Sequence, residues 1–404
     1  PSTLASPLYQ FGGTVGSPHF DEFIGPQFES LHNINNEYLL PKLKSPLMRF
    51  VTKDSTKLTP STSETFSPVM SLAQGGLASA RGAEVYRFTD EELSLFPFRA
   101  QDLERYYDCV EQHIGISGAN DDLSELLGVD EQLYPPLRMG RLASDLYRRY
   151  QGKRASFNEK GVRVGLPRVA ILSDGHHGRP SYQYDDLEFF KPPGPAVYSP
   201  ALTLDHLVRD ELVAYRPGYY VERYEELPNG VRVRARKLAD DSREEFEARR
   251  VVLALGTMNT AKLVLASNDD YETRLPLLDN AISYVPFVNP RMIGEAPEPH
   301  HLRSIQLTLA YSGDLADQCI MGSFYAIPGI LRSDLFFRFP FSLRMNRAAV
   351  KYVLPALLLL QLFYPDQPVP DSWISLEENG QLNIRYQRKC LGRVERHVLS
   401  VFRG

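Results

Sequence analysis

The chain has 404 residues, 43% of them hydrophobic and 11% aromatic, and its 45 basic and 50 acidic side chains give a net charge of −5. Because charges of both signs are interspersed, we expect no basic surface for a phosphate backbone and exclude nucleic acid as a partner. The length suffices for a large hydrophobic core, in one large domain or in two closely packed domains.

Cysteine and histidine positions give little support for a metal or disulfide framework. Cys109, Cys319 and Cys390 are far apart and lack Cys-x-x-Cys spacing, which argues against disulfides and zinc and favours reduced thiols in a cytoplasmic protein. Histidine pairs at 176–177 and 300–301 leave open the possibility of a metal-dependent hydrolase. Adjacent histidines on an extended chain point to opposite faces, however, so solvated loops are the favoured interpretation.

The first quarter of the chain contains two segments without regular periodicity. Residues 1–70 are rich in Ser, Thr and Pro, and the tract 52–68 predicts a long loop or lid. The segment SLAQGGLASARGAEVYRF, residues 71–88, follows. Its glycines and small residues make the backbone the contacting surface. By itself, this segment is equally typical of a tight loop.

Periodic elements begin after residue 99. Apolar residues at helical spacing predict a helix over 100–114, which Asp102 can begin and Gly115 can end. A second helix is predicted over 138–156 and a strand over 161–173. The residues that share one face of the first helix are Leu103, Tyr106, Val110 and Ile114.

The clearest strand signal lies in residues 212–255. Alternating segments flank the Pro-Asn-Gly turn at 228–230 and predict an edge hairpin. One face of its second strand carries Val231, Val233 and Ala235, and the other carries Arg232, Arg234 and Arg236. Residues 251–255, VVLAL, lack alternation, which is typical of a buried strand in a parallel sheet. Gly256 then begins a turn into a helix that ends at Ser267. Such a turn is where α/β proteins place ligands. A plain structural turn is the alternative.

A second apolar run, YVLPALLLLQLF at 352–363, is too short for the ~20 residues that cross a bilayer. We therefore expect no transmembrane span. The favoured interpretation is a buried or groove-lining helix, and shallow insertion into a membrane surface is the alternative, which leaves peripheral membrane contact open.

Aromatic residues are dense in 185–208 and 281–363, and most are expected in the core. Any that line a pocket would favour a bulky, apolar small-molecule substrate over a free sugar. These residues include Phe189, Phe190, Tyr198, Phe324, Tyr325, Phe336, Phe337, Phe339 and Phe341.

Three motifs together resemble the glucose-methanol-choline (GMC) family of FAD-dependent oxidoreductases: residues 71–88, YYVERYEE at 219–226, and VVLALGTMNTAKLVLAS at 251–267. The resemblance implies a bound FAD. Its implied contacts are Gly75, Gly76, Ala78 and Gly82 against the flavin, Val221 at the adenine, and Gly256 with Thr260 beside the dinucleotide. Arg81 stands where the family usually has Asn.

The family also implies the fold and the reaction. The fold would be α/β (α+β), with a Rossmann-like FAD-binding domain (71–160 and 200–280) interwoven with an antiparallel-sheet substrate domain (161–199 and 281–404), beside the loop-rich residues 1–70. The implied reaction is oxidation of an alcohol. A base removes the hydroxyl proton, and a hydride passes from carbon to the flavin.

The sequence departs from the family pattern towards both ends. The glycines of QFGGTVGSPHF, residues 10–20, do not have the G-x-G-x-x-G spacing of a dinucleotide fingerprint. No catalytic histidine is assigned, because His397 follows the predicted strand pair at 373–387 too closely and is expected on a solvated helix face. Two explanations stay open. Either a longer chain or a partner chain supplies the missing elements, or the protein is a flavin-free relative acting as a scaffold or regulatory subunit.

Overall fold

The computed structural model describes residues 22, 25, 30, 41–80, 82–184, 192, 194–295, 305–326, 342, 345, 346, 349, 352–387 and 392–403, which form an α+β fold with three sheets. The helices are α1 (Pro41–Lys44), α2 (Ser55–Leu58), α3 (Ala100–Ile114), α4 (Ser124–Leu127), α5 (Arg141–Gly152), α6 (Arg154–Glu159), α7 (Pro200–Arg209), α8 (Thr257–Ser267) and α9 (Arg393–Arg403). The strands are β1 (Ser61–Thr62), β2 (Val162–Gly165), β3 (Tyr219–Leu227), β4 (Gly230–Lys237), β5 (Arg243–Ala248), β6 (Leu275–Pro276), β7 (Ala281–Val288), β8 (Ile305–Tyr311), β9 (Ile320–Ala326), β10 (Leu357–Tyr364), β11 (Trp373–Leu376) and β12 (Leu382–Arg385).

The largest sheet is antiparallel, with strand order β2-β8-β9-β10-β7. Alternate residues of its strands point to one face, where they form the main core with α5 and α9. Leu309, Phe324 and Leu360 on this face are completely buried. We call this the core face of the sheet, and the opposite side its cleft face.

The predicted helix over 352–363 is wrong for most of its length, because helical turns end at residue 356. Leu357–Tyr364 is strand β10, which pairs with β9 on one side and β7 on the other. Its even-numbered residues are buried on the core face and its odd-numbered residues are half-buried. Because both faces of β10 are at least partly covered, every position carries an apolar or neutral side chain, and the strand period disappears from the sequence.

The predicted hairpin is confirmed, but its predicted place at the edge of a parallel sheet is wrong, because β4 is the middle strand of a separate antiparallel sheet. Strands β3 and β4 pair antiparallel around a turn at Pro228 and Asn229, and β5 extends them to a three-stranded sheet. Ala235 is buried, whereas the arginines on the opposite face form ion pairs with glutamates of β3 and β5. This is the arrangement expected for one packed face and one solvated face.

The predicted buried strand at 251–255 is also wrong. The segment belongs to no strand of the described residues, and Val252 is 88% exposed. An unbroken apolar run is buried only where neighbouring strands and helices cover both of its faces. The helix that follows is confirmed: α8 begins after Gly256, which has a φ of 77°, and ends at Ser267.

The third sheet has the order β1-β12-β11-β6, and its apolar side chains form a second core with α8. The strand pair predicted within 373–387 is confirmed as β11 and β12. The short pairing of β1 with β12 is the one parallel ladder among the described residues. The Rossmann-like arrangement therefore stays a prediction.

Helix predictions in the first half are mostly confirmed. Helix α3 spans 100–114; Asp102 accepts a hydrogen bond from the Arg99 N–H at its start, and Gly115 follows its end. The face expected to be apolar remains largely open, however, with Tyr106 51% and Val110 52% exposed. The helix predicted over 138–156 is divided into α5 and α6, and the predicted strand at 161–173 is regular only in β2.

Candidate ligand-binding cleft

A cleft of about 890 Å³ lies on the cleft face of the large sheet. Met321, Tyr325 and Phe363 form its floor, because these residues alternate with core-face residues along β9 and β10. Residues 82–96 form one wall, and Pro365–Pro368 form part of another. The apolar and aromatic residues that line the cleft are Phe88, Leu95, Phe96, Leu127, Leu278, Ile305, Met321, Tyr325 and Phe363.

One carboxyl group, that of Glu84, lies between this cleft and the sheet. Its Oε2 accepts a 2.6 Å hydrogen bond from Ser323, and its Oε1 accepts hydrogen bonds from Thr308 and, at 3.0 Å, from Tyr86. Thr308 and Ser323 are 0% and 1% exposed. Glu84 as a residue is only half-buried, but its carboxyl oxygens are therefore bonded to buried hydroxyl groups.

The sheet register places these hydroxyls side by side. Thr308 on β8 is directly opposite Ser323 on β9, Ser323 is opposite Gln361 on β10, and Gln361 is opposite Tyr284 on β7. Side chains at directly opposed positions lie on the same face of a sheet. A row of four polar residues therefore crosses the cleft face, and Glu84 is bonded to the first two of them.

Backbone hydrogen bonds fix the segment that carries Glu84. Ala170 N–H donates to the Ala83 carbonyl, and Val85 N–H donates to the Arg168 carbonyl. The Arg168 N–H also donates to the Tyr86 hydroxyl. Ala83 is held at a φ of 65°, in the left-handed region that disfavours residues with a Cβ. Such a conformation persists only where the surroundings enforce it.

Burial shifts the titration of the groups around Glu84. Burial raises the pKa of the Glu84 carboxyl, although hydrogen bonds from Ser323, Thr308 and Tyr86 oppose the shift. Burial, together with the nearby Glu84 charge, also raises the pKa of Tyr86 and of Tyr325. Both tyrosines line the cleft and stay neutral at physiological pH. A protonated Glu84 would complete a neutral hydrogen-bonding surface.

The thiol of Cys319 lines the same cleft. Burial, reinforced by the charges of Glu92 and Glu91, raises its pKa to about 11. A thiol with a raised pKa is a poor nucleophile at neutral pH. Cys319 and Cys109 are free cysteines, and Cys390 lies outside the described residues.

A buried charge network supports the wall of the cleft. Arg168 is 1% exposed, and its Nη1 lies 2.7 Å from Oδ2 of Asp130 as a close ion pair without hydrogen-bond alignment. Its Nη2 donates to the Gly128 carbonyl and to Ser124. Arg87, which lines the cleft, contacts Asp130 at 3.0 Å and Glu111 at 2.6 Å. The acidic partners compensate the cost of burying these guanidinium groups.

The predicted flavin contacts in the glycine segment have different surroundings. Gly75 has a φ of 80°, and a Cβ there would lie 2.7 Å from Ser79 Oγ and 3.1 Å from Ser199 Oγ. Gly75 therefore packs against neighbouring protein atoms. Gly76 has a φ of 58° and open space beside it, Ala78 is half-buried, and Gly82 lines the cleft.

The remaining predicted contacts lie elsewhere. Gly256 and Thr260 line a separate depression of about 500 Å³ with Leu253, Leu275 and Ile374. No residue is shared between the linings of this depression and of the cleft. Val221 is half-buried on β3, beside an irregularity in its pairing with β4. Arg81 lies outside the described residues.

The histidine predictions have mixed outcomes. His176 Nδ1 is 2.7 Å from the Tyr134 hydroxyl, and burial together with His177 lowers the pKa of His176. Among the described residues, no group of three His, Cys, Asp or Glu side chains has metal-binding geometry. His397 lies on α9 as predicted but is half-buried, since its Nε2 donates to the Lys160 carbonyl at 2.8 Å and its ring packs on Tyr311.

Several sequence predictions fall on residues that are not described. These are the histidine pair at 300–301, most of 1–40, and the aromatic residues Phe189, Phe190, Phe336, Phe337, Phe339 and Phe341. Within the described ranges, every helix is too short or too polar to cross a membrane.

Sequence reasoning missed Glu84 as a functional candidate. The available signal was the segment AEVYRF at 83–88, in which Glu84 and Tyr86 alternate with Ala83 and Val85. Strand-like alternation places Glu84 and Tyr86 on one side. The other hydroxyl partners, Thr308 and Ser323, are more than 220 residues away in the chain, so no local pattern connects them to Glu84.

Comparison with protein-family models gives no match for this sequence, and comparison with curated proteins also gives none. The GMC resemblance therefore rests on the three motifs alone.

Proposed function

We propose that the protein binds a bulky, mostly apolar alcohol in the cleft and oxidises its CH–OH group with FAD as the cofactor. The observation that supports substrate binding is the hydrogen-bonded cluster at Glu84, which lines a cleft with many apolar and aromatic side chains. A volume of about 890 Å³ falls in the range of small-molecule sites, which combine apolar walls with a few orienting polar groups. The choice of FAD and of an oxidation rests on the motif resemblance.

The described residues do not fit FAD as a complete binding site. The side chains of Ser79 and Ser199 fill the space beside the Gly75 Cα. Gly256 lines a depression separate from the cleft that Gly82 lines. The segment 251–255 also lacks the sheet that would place the turn at Gly256 beside a pyrophosphate. A partner chain that supplies the missing elements stays a prediction.

The decisive experiment is to titrate the purified 404-residue chain with FAD and then add an alcohol. We expect FAD fluorescence to change on binding and the bound flavin to lose its visible absorption when anaerobic 2-decanol is added. Glycerol serves as the polar control alcohol. Absence of FAD binding, with the protein folded, would contradict the oxidoreductase proposal.

A flavin-free binding or scaffold protein is the second candidate. The separation of the glycine sites and the exposure of Val252 favour it. It predicts that 2-decanol binds to the chain while FAD does not. Reduction of bound FAD by 2-decanol would exclude this candidate.

A further inference from the structure

We infer that Glu84 is the residue with which the cleft recognises the oxygen atom of its ligand. Glu84 lines the cleft, whereas its partners Thr308 and Ser323 lie behind it on the sheet and do not. Of these three residues, Glu84 is thus the one that a ligand in the cleft can contact. The inference relies on the proposed function only for the class of ligand, an alcohol and its oxidised product.

The hydrogen-bonding capacity of Glu84 leaves room for a ligand. A carboxylate accepts about four hydrogen bonds, and Thr308, Ser323 and Tyr86 can donate at most three. The Tyr86 hydroxyl lies 3.0 Å from Glu84 and 2.9 Å from Thr308, so its one hydrogen is shared between two acceptors. At least one lone pair of Glu84 is therefore unused by these partners.

The protonation state of Glu84 then determines which ligands it can hold. A protonated carboxyl group can donate to a hydroxyl or to a carbonyl oxygen, whereas a carboxylate can only accept. An alcohol carries both a donor and an acceptor and can bind to either form. A ketone carries only an acceptor, so it requires the protonated form and is disfavoured by the carboxylate.

The groups that can influence the ionisation of Glu84 are the titratable side chains around it. Tyr86 and Tyr325 are the titratable side chains in the cluster, and burial raises the pKa of both. The β8 and β9 residues bonded to Glu84 are neutral hydroxyls. The other titratable groups of the cleft lining are Arg87, Glu92, Cys319 and Asp366. Arg168, which packs against the Glu84 segment through its backbone, directs its guanidinium to Asp130.

The test measures binding of 2-decanol and 2-decanone by calorimetry from about pH 5 to about pH 9, without FAD. In the wild type we expect the affinity for the ketone to fall by about tenfold once Glu84 ionises, because one hydrogen bond is lost and two acceptors face each other. The affinity for the alcohol should change by less than about threefold. Glu84→Gln keeps a donor at every pH, so its ketone affinity should not depend on pH.

Two further variants test whether the pH dependence comes from Glu84. Glu295→Gln removes an exposed carboxyl group that does not line the cleft and should retain the wild-type pH profile. Ser323→Ala removes a hydrogen bond that lowers the Glu84 pKa, so it should move the midpoint of the ketone profile to higher pH. This shift supports the inference even if Glu84→Gln fails to fold.

Several results would overturn the inference. They are a ketone affinity that is independent of pH in the wild type, the same pH dependence in Glu84→Gln, or no binding of either probe. Because FAD is absent throughout, failure of FAD to bind would remove the oxidoreductase proposal and leave the role of Glu84 standing.

Discussion

The guanidinium of Arg168 lies 2.7 Å from the carboxylate of Asp130, and both side chains are buried. The backbone carbonyl of Arg168 accepts a hydrogen bond from the Val85 N–H, and the Arg168 N–H donates one to the Tyr86 hydroxyl. The ion pair therefore anchors the segment on which Glu84 is presented to the cleft. Arg168 thus connects a buried ion pair with the segment that carries Glu84, the residue proposed to bind the ligand.

Replacing Arg168 tests this connection. Arg168→Met leaves the buried Asp130 with Arg87 as its remaining ion-pair partner among the described residues, and breaking a buried pair costs about 3–5 kcal/mol. We expect a loss of this size in the free energy of unfolding, measured by urea denaturation. Arg141→Met is the control, since Arg141 is 54% exposed and pairs with the exposed Glu295; its loss should be below about 1 kcal/mol. Equal losses in the two variants would show that the buried pair has no special role.

The pH dependence of stability tests the ionisation of Glu84. Burial raises its pKa in the folded protein above the ordinary value of 4.5, so the unfolded state loses this proton first as pH rises. The stabilisation from Glu84 is complete below the unfolded pKa and is lost as pH rises through the folded pKa. We expect Glu84→Gln to show a smaller fall in the free energy of unfolding over this window.

The control for this measurement is Glu92→Gln, which removes a second carboxyl group from the cleft lining. Its stability profile should run parallel to that of the wild type. Infrared spectroscopy gives an independent measure, since the carbonyl stretch of a protonated carboxyl group should disappear in Glu84→Gln. Identical stability profiles for the wild type and Glu84→Gln would mean that Glu84 ionises as it does in water.

Two substitutions in the glycine segment, residues 71–88, test whether Gly75 has a structural role. Gly75→Ala introduces a Cβ at 2.7 Å from Ser79 Oγ and 3.2 Å from the Ala201 backbone nitrogen, at a φ of 80°. We expect it to cost about 1–3 kcal/mol of unfolding free energy in the absence of FAD. Gly76→Ala meets open space and should cost only about 1 kcal/mol, from its positive φ. A Gly75→Ala protein as stable as the wild type would return Gly75 to the list of cofactor contacts.

The sequence predicts the elements whose signal is local. The alternation of Val231, Val233 and Ala235 with arginines identifies β4 because one face is packed and the other is solvated. At the start of helix α3, the Asp102 carboxylate in the first turn accepts from the backbone N–H of Arg99, and Gly115 follows the end of the helix. These signals depend on neighbours a few residues away in the chain, which the sequence contains.

The two failed predictions concern apolar runs without alternation. Residues 357–364 form a strand and 251–255 form none, although both runs are continuous. Their structure depends on which strands and helices lie beside them, and this is set by segments far away in the chain. The Glu84 cluster was missed for the same reason, because β8 and β9 bring its hydroxyls from distant positions.

The exposure of Val252 gives a direct test of the segment 251–255. Val252 is 88% exposed, so Val252→Asp should change the free energy of unfolding of the monomer by no more than about 0.5 kcal/mol. The control is Val164→Asp, at a completely buried core position, which should cost more than about 3 kcal/mol. Denaturation should be measured at several protein concentrations, together with the molecular mass in solution. A large loss at Val252 that grows with protein concentration would mean that another chain covers the segment, because a valine at a free surface cannot stabilise a fold in this way.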